Sequence, residues 1–437
     1  MRRAALHNLG CKVNSYETEA MQQLLEAAGY EIVPFHETAD VYIINTCSVT
    51  NMADRKSRQM LHRAKKQNPQ AVVVAAGCYV QAASEELKKD LAVDVIIGNN
   101  KKQNLVQILE EYFCEEDLNN TVIEIGETRE YEDLQISRIA DHTRAFIKVQ
   151  DGCNQFCSYC IIPYTRGRVR SRRPEAVEAE VRTLVAGGYQ EIVLTGIHLS
   201  SYGVDFEEAQ AENLLGLIKR LHGIDGLNRI RLGSLEPRIV TKEFAVELSR
   251  LTKVCPHFHL SLQSGCDETL KRMNRRYTAK EYEEGCTILR SVYENPAITT
   301  DVIVGFPGET EEEFAATRAF LEKIGFYEMH IFKYSRRQGT RADSMPDQVP
   351  EEVKTRRSDE LLALEKQMSR AYRERFLGTR ECVLLEEAVT VGGTDYWIGH
   401  TREYVKAAVP LAGAEKNTMA EGILTEMLTD EILLLKR

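Results

Sequence analysis

The chain has 437 residues, 43% of them hydrophobic and 28% charged, too many for one ordinary core and ordinary in composition for two or three soluble domains. Its formal net charge of −10 argues against wholesale nonspecific binding of nucleic acid, while leaving room for a local basic site, because phosphate contacts act within a Debye length. Eleven cysteines are too sparse for a secreted disulfide scaffold, and the longest apolar run, Ala71 to Val80, is only ten residues, far short of a membrane span.

The chain opens on two arginines, but no apolar signal core follows before Lys12 and Asn14. The expectation is a soluble cytoplasmic protein without membrane contact, whose cysteines are metal ligands and buried thiols. Strands are predicted at Ala4 to Leu9, Val41 to Asn45, Ala71 to Ala76 and Val93 to Ile97. Helices are predicted between them: one capped by Asn14 or Ser15 and running to about Ala28, one over Asp54 to Gln67, and others ending near Lys89 and Tyr112. Alternation of this kind implies parallel strands and a doubly wound sheet over residues 1–114. Cys11, Cys47 and Cys78 each fall just beyond a strand end. A parallel sheet brings such ends to one edge, where open α/β folds place ligands. A single cysteine there reads as a small buried thiol. Three at equivalent positions predict a metal centre with three protein ligands.

Residues 115–140 are acidic and polar, with one possible strand at Thr121 to Ile125, and read as a linker. From there the pattern restarts in longer units, with strands expected at 144–150, 191–195, 229–233, 257–262, 298–304 and 327–332. Six βα units over residues 141–350 suit a partial (βα)6 barrel whose post-strand loops form the site. The first of these strands leads into DGCNQFCSYC, residues 151–160. Cys153, Cys157 and Cys160 stand in a CxxxCxxC spacing with Tyr159 before the last cysteine. Three thiolates in one loop can wrap a small metal centre. The long first step is unlike the paired CxxC units of zinc modules, and the next histidine downstream is His198. On an iron–sulfur cubane three ligands leave one iron open. A zinc knuckle completed by a distant residue is the competing reading.

Other loops after predicted strands carry glycine or polar groups. TGIHLSSYG (195–203) contains His198, an acid or base candidate or a hydrogen-bonded structural histidine. VIVGFPGETEEEF (302–314) places Gly305 and Gly308 where backbone could approach a ligand, and Gln263 follows another strand and points toward the cavity. Arg166, Arg168, Arg170, Arg172 and Arg173 crowd the segment after the cysteine loop, and Lys271, Arg272, Arg275 and Arg276 form a second basic group. In an acidic protein such charge beside a reactive centre suggests an anionic substrate such as RNA, with a solvated basic face as the alternative. Residues 351–377 read as a bridging helix, and 378–437 as short strands forming a small all-β barrel. Cys114, Cys255, Cys266, Cys286 and Cys382 are assigned to packing.

CxxxCx(aromatic)C after a strand resembles the cluster loop of the radical S-adenosylmethionine (SAM) superfamily, and the C-terminal segment resembles a TRAM domain, an oligonucleotide-binding-like module of RNA-modifying enzymes. Taken whole, the chain resembles the methylthiotransferases, with an N-terminal auxiliary-cluster domain, a radical SAM barrel and a TRAM domain. LGCKVNSYE, NTCSVTNMADRKSR and DGCNQFCSYCIIPYTRGRVRSR look most like the bacterial branch acting on threonylcarbamoyladenosine at position 37 of tRNA. The branches acting on isopentenyladenosine or on a ribosomal-protein aspartate differ around the first cysteine.

This resemblance implies an enzyme that inserts a methylthio group at carbon 2 of the nucleoside, using SAM as both methyl donor and radical source. It implies two [4Fe-4S] clusters with catalytic roles, one on Cys153, Cys157 and Cys160 that binds SAM and an auxiliary one on Cys11, Cys47 and Cys78. Tyr159, Thr195, Gly196, Gln263, Gly305 and Pro307 would contact SAM, and the five clustered arginines the tRNA. An electron donor such as flavodoxin or ferredoxin would reduce the enzyme. A non-catalytic iron–sulfur protein and a zinc-stabilised RNA-binding protein are the readings from other classes.

Overall fold

The apolar runs at the start of the chain become the interior of a parallel sheet. In the computed structural model, which describes residues 1–138, 143–207 and 212–437, β1 (Arg3–Asn8), β2 (Glu31–Ile32), β3 (Val41–Thr46), β4 (Val72–Gly77) and β5 (Val95–Ile97) pair in the order β2-β1-β3-β4-β5. Helices α1 (Lys12–Ala27), α2 (Asn51–Gln67), α3 (Cys78–Leu87) and α4 (Leu105–Phe113) alternate with them. β3 and β4 are buried at every position, because helices cover both faces. Val41, Ile43 and Val74 pack with Met21, Leu25 and Leu109 on one side, while Tyr42, Ile44 and Val73 pack with Leu61 on the other.

Two local expectations fail here. α1 begins at Lys12 with Cys11 in the capping position, so neither Asn14 nor Ser15 caps it. The Asn14 amide instead donates to the carbonyls of Leu9 (2.7 Å) and Thr46 (3.0 Å), joining two loops. Thr121 to Ile125 is irregular chain held by isolated bonds such as Gly98 N–H to the Thr121 carbonyl, 2.8 Å. The expected boundary at 140/141 lies outside the described residues.

The central region contains β6 (Arg144–Asp151), β7 (Arg170–Ser171), β8 (Glu191–Gly196), β9 (Arg229–Leu232), β10 (His257–His259), β11 (Ala297–Val304) and β12 (Glu328–Lys333). Its helices are α5 (Ile162–Thr165), α6 (Pro174–Ala186), α7 (Leu214–His222), α8 (Lys242–Ser249), α9 (Asp267–Arg272), α10 (Ala279–Val292) and α11 (Glu311–Ile324). β6, β8 and β9 run parallel, as do β10, β11 and β12, and bridges Ile230–Val254 and Leu235–Leu260 join the two halves into one curved sheet. The short β7 pairs antiparallel with the end of β6.

Period-two alternation then sorts the side chains. Ala145, Ile147, Val149, Ile192, Leu194, Ile230, Leu232 and Phe258 form the core beneath the helices. Their neighbours Arg144, Phe146, Lys148, Gln150, Glu191, Arg231, His257 and His259 face inward, so the lumen is polar.

α12 (Glu351–Glu374) leads to a closed barrel of β13 (Arg380–Val391), β14 (Thr394–His400), β15 (Lys406–Pro410), β16 (Met419–Met427) and β17 (Leu433–Lys436) around Val383, Leu385, Val409, Leu424 and Leu435. This barrel docks at the starts of the central strands. Arg229 donates to the carbonyls of His400 (2.9 Å) and Cys382 (2.6 Å), and Arg231 to that of Arg402 (3.0 Å). Glu191 backs both guanidinium groups, and Tyr404 stacks between His257 (4.6 Å) and His400 (4.3 Å). The opposite end of the strands, where the cysteine loop emerges, faces the N-terminal sheet.

Candidate functional site

Cys11, Cys47 and Cys78 follow β1, β3 and β4, which are neighbours in the sheet. The loops are drawn together tightly. Gly10 has φ +104°, and a Cβ there would stand 2.9 Å from both Cβ and Sγ of Cys47, so only glycine fits. Thr46 Oγ1 donates to the Ala76 carbonyl (2.6 Å) and accepts from Tyr79 N–H (3.2 Å), tying the second loop to the third. Burial pushes the Cys47 thiol up to about 11, with Cys78 and Cys11 adding to the rise. Such thiols ionise when a metal centre takes the thiolate.

The second trio sits in the loop after β6. Cys153, Cys157 and Cys160 line a cavity of about 140 Å³ with Tyr159, His198, Glu236, Gln263 and Arg275. Gly152 enters the loop at φ +69°, and a Cβ there would lie 1.8 Å from the Arg168 carbonyl oxygen, so no other residue allows this path. Gln150 braces the loop by donating to the Gly152 carbonyl (2.7 Å) and accepting from His198 N–H (2.7 Å). Arg275 Nη1 lies 3.3 Å from Cys157 Sγ. The backbone of Gln263 is left-handed, φ +71°, a conformation non-glycine residues hold only where surroundings enforce it. His198 Nδ1 meets Ser201 Oγ at 2.7 Å, while its Nε2 is buried without a partner among the described residues. Burial, aided by Arg275 and Arg238, lowers its pKa to about 4, so the ring is neutral near pH 7.

A buried ionic network lies between the two trios. Glu17 of α1 meets Lys148 (2.8 Å), Lys102 (3.0 Å) and Arg166 (2.9 Å), and Asp151, two residues before Cys153, meets Lys148 (2.7 Å) and Arg166 (3.1 Å). Burial alone would raise the Asp151 carboxyl, but Lys148, Arg166 and Arg170 hold it well below the usual carboxylate range. Four cations against two carboxylates, with Arg170 at 3.8 Å from Asp151, leave positive charge in surplus. It is directed at sulfur: Arg166 Nε is 3.2 Å from Cys78 Sγ, and its Nη2 donates to Asn14 Oδ1 at 2.6 Å. On the far side Arg337, in the loop after β12, donates to Ser48 Oγ (2.7 Å) beside Cys47 and pairs with Asp54. The cysteine edge of the N-terminal sheet is therefore clamped over the barrel mouth at two points.

The expected RNA contacts Arg166, Arg170 and Arg172 are corrected by this geometry, since all three are at most 1% exposed. β7 folds back on β6 with Arg170 and Arg172 turned inward, and Arg166 turns inward at the end of α5. Arg170 donates to the Arg166 and Arg168 carbonyls, and Arg172 pairs with Asp133 (2.8 Å) and Glu180. Arg168 and Arg173 are exposed, lying over the rings of Phe156 and Phe206.

Of the expected SAM contacts, Tyr159 and Gln263 line the cavity, while Thr195, Gly196, Gly305 and Pro307 are not among its lining residues. Thr195 and Gly196 end β8 just before the lining residues Ile197 and His198. Gly305 N–H is held by Glu309 (2.6 Å), which pairs with Arg357, and the Pro307 carbonyl accepts from Arg272 (3.2 Å). Glu17, Gln150 and the sulfur-facing roles of Arg166 and Arg275 had no distinct signal in the sequence. Among the described residues, no three His, Cys, Asp or Glu side chains converge closely enough to hold a single metal ion.

Residues 3–98 match the uncharacterized protein family UPF0004, and residues 147–321 match the radical SAM superfamily. The chain is 42% identical over 407 residues to the threonylcarbamoyladenosine tRNA methylthiotransferase MtaB of Bacillus subtilis (strain 168), covering 93% of this chain and 90% of that protein. It is 41% identical to the protein of the same name from Aquifex aeolicus, over 88% of this chain and 93% of that one. To the tRNA-2-methylthio-N(6)-dimethylallyladenosine synthase of Moorella thermoacetica it is 38% identical, with 90% and 89% covered. Among solved structures, the radical S-adenosylmethionine methyltransferase TsrM of Kitasatospora setae, with cobalamin and a [4Fe-4S] cluster bound, shares the fold, with TM-score 0.60 at 16% identity over 78% of this chain and 74% of that one.

Proposed function

Because this chain belongs to the radical SAM methylthiotransferase family, whose superfamily implies SAM and a [4Fe-4S] cluster, we propose that it inserts a methylthio group at carbon 2 of threonylcarbamoyladenosine at position 37 of tRNA. The observation that carries this reading is the clamping of one cysteine trio over the loop bearing the other. The nucleoside follows the names of the relatives at 41–42% identity.

Cys153, Cys157 and Cys160 would hold a [4Fe-4S] cluster with one iron free for SAM, and Cys11, Cys47 and Cys78 a second, auxiliary cluster. The residues present suit these groups. The orphan His198 Nε2 offers a hydrogen bond to a polar ligand, Tyr159 and Gln263 line the same cavity, and Arg275 and Arg166 each face a cysteine sulfur. When bound, SAM and the clusters supply the radical, the methyl group and the sulfur. The chain's own share is electrostatic and positional. Arg275 and Arg166 stabilise anionic sulfur at Cys157 and Cys78, Gln150 fixes the cysteine loop against His198, and neutral His198 orients a ligand without acting as an acid. Arg168, Arg173 and the C-terminal barrel, in the role of a TRAM domain, would contact the tRNA. A donor such as flavodoxin or ferredoxin would deliver electrons in the cytoplasm. Among the described residues no helix is long and apolar enough to cross a membrane.

Two variants divide the roles. Cys157→Ala should abolish SAM cleavage, whereas Cys47→Ala should retain some cleavage and make no methylthio product. Equal loss of cleavage in two folded variants would refute separate roles, and anaerobic protein containing zinc without labile sulfide would refute the radical reading. Nucleoside mass spectrometry of tRNA from a deletion strain without a paralogue should show methylthio-threonylcarbamoyladenosine missing. Loss of the methylthio-isopentenyl nucleoside instead would reassign the substrate.

A further inference from the structure

Among the described residues, one cation beside the N-terminal cysteines has no counter-ion. Lys12 directly follows Cys11, is accessible to solvent, and places Nζ 5.9 Å from the centre of the Phe146 ring. Phe146 shares the inner face of β6 with Arg144, opposite the core residues Ala145 and Ile147. Lys12 therefore reaches from the sulfur-bearing edge over the polar lumen of the central barrel. The neighbouring lumen cations each have a carboxylate partner: Arg144 has Glu386 (3.0 Å), Arg231 has Glu191 (2.9 Å), and Lys148 has Glu17 and Asp151. Among the described residues no carboxylate lies within ion-pairing distance of Lys12, and the charges acting on it, Arg144 and Arg231, are both repulsive. An unpaired ammonium held among other cations is stabilised by an arriving anion more than by anything the chain supplies.

The chemistry of the substrate supplies such an anion at the right place. In adenine, N6 and carbon 2 flank N1 on one edge, so a substituent on N6 lies close to the carbon that reacts. A threonylcarbamoyl group ends in a carboxylate, whereas a dimethylallyl group carries none. Building on the function proposed above, we propose that Lys12 pairs with the threonyl carboxylate of the modified adenosine and is a specificity-determining residue of this enzyme. A neutral residue there would remove the preference for the charged nucleoside without removing the clusters.

The test uses the cluster-loaded full-length enzyme under anaerobic conditions and fluorescence anisotropy of anticodon stem–loops. The three probes carry threonylcarbamoyladenosine, its carboxyl methyl ester, or unmodified adenosine at position 37. Wild type should bind the acid about tenfold more tightly than the ester, the scale of one partly desolvated ion pair. Lys12→Gln should bring acid and ester to equal affinity, and Lys12→Arg should keep the gap, with cluster absorbance and melting temperature as in wild type. Lys12→Met supplies the same comparison if Lys12→Gln loads poorly. A wild type that prefers the acid together with neutral variants that keep the full preference overturns the role of Lys12. A wild type that does not distinguish acid from ester also overturns it. A wild type that methylthiolates isopentenyladenosine stem–loops and not threonylcarbamoyladenosine ones overturns the substrate reading itself.

Discussion

Arg166 shows how much one side chain can join. Its guanidinium touches Cys78 Sγ, Asn14, Glu17 and Asp151, and none of it is exposed. Removing one partner of a buried charge network costs about 3–5 kcal/mol, because the charges left behind are desolvated and unmatched. Arg166→Met should therefore lower the melting temperature by several degrees and reduce bound iron, measured by calorimetry and iron analysis, while Arg168→Met leaves both unchanged. The same residue marks the limit of reading sequence. The six cysteines stood out because their spacing and their places after strands are unusual for packing thiols. The arginine run looked the same whether it faced water or Glu17, because its partners lie 15 and 149 residues away in the chain.

Elements follow the same rule. The long strands were legible because an apolar or alternating run of five or more residues has a period. β2 and β7, at two residues each, have none, and β7 is the strand on which Arg170 is turned inward. At the start of β13, burial and the nearby Glu403 raise the Glu381 carboxyl from 4.5 to about 7. Its folded pKa is above its unfolded one, so between these values the folded state holds a proton that the unfolded chain has lost. Stability then falls as pH rises through that window and levels off above it. The melting temperature of Glu381→Gln relative to wild type should therefore rise from pH 4.5 to pH 7 and stay constant at higher pH; a flat difference would place the titration elsewhere.

At the scale of the molecule, the order of a parallel sheet, a βα barrel and a small β-barrel could be read along the chain, but not their arrangement. Nothing local says that the N-terminal sheet caps the mouth of the central barrel while the small C-terminal barrel closes its other end. Those placements rest on single pairs such as Arg337 with Asp54, separated by 283 residues. That contact should govern coupling between the two proposed cluster sites. Arg337→Ala is expected to leave SAM cleavage near wild type and to cut methylthio product about tenfold or more, since small misplacements of reacting groups are costly. The ratio of 5'-deoxyadenosine to modified nucleoside measures it, and an unchanged ratio would show that Arg337 is not needed for alignment.

The buried carboxylate of Glu17 also bears on ancestry. Of the three cations that neutralise it, Lys102 belongs to the N-terminal sheet domain, whereas Lys148 and Arg166 are lent by the barrel. A graft of this domain onto a foreign barrel would strip the buried carboxylate of two of its three ion pairs and leave it to Lys102 alone. The two halves are thus not interchangeable cassettes. Change at Glu17 must be answered at Lys148 or Arg166, so the lineage is bound to inherit the pair as one unit.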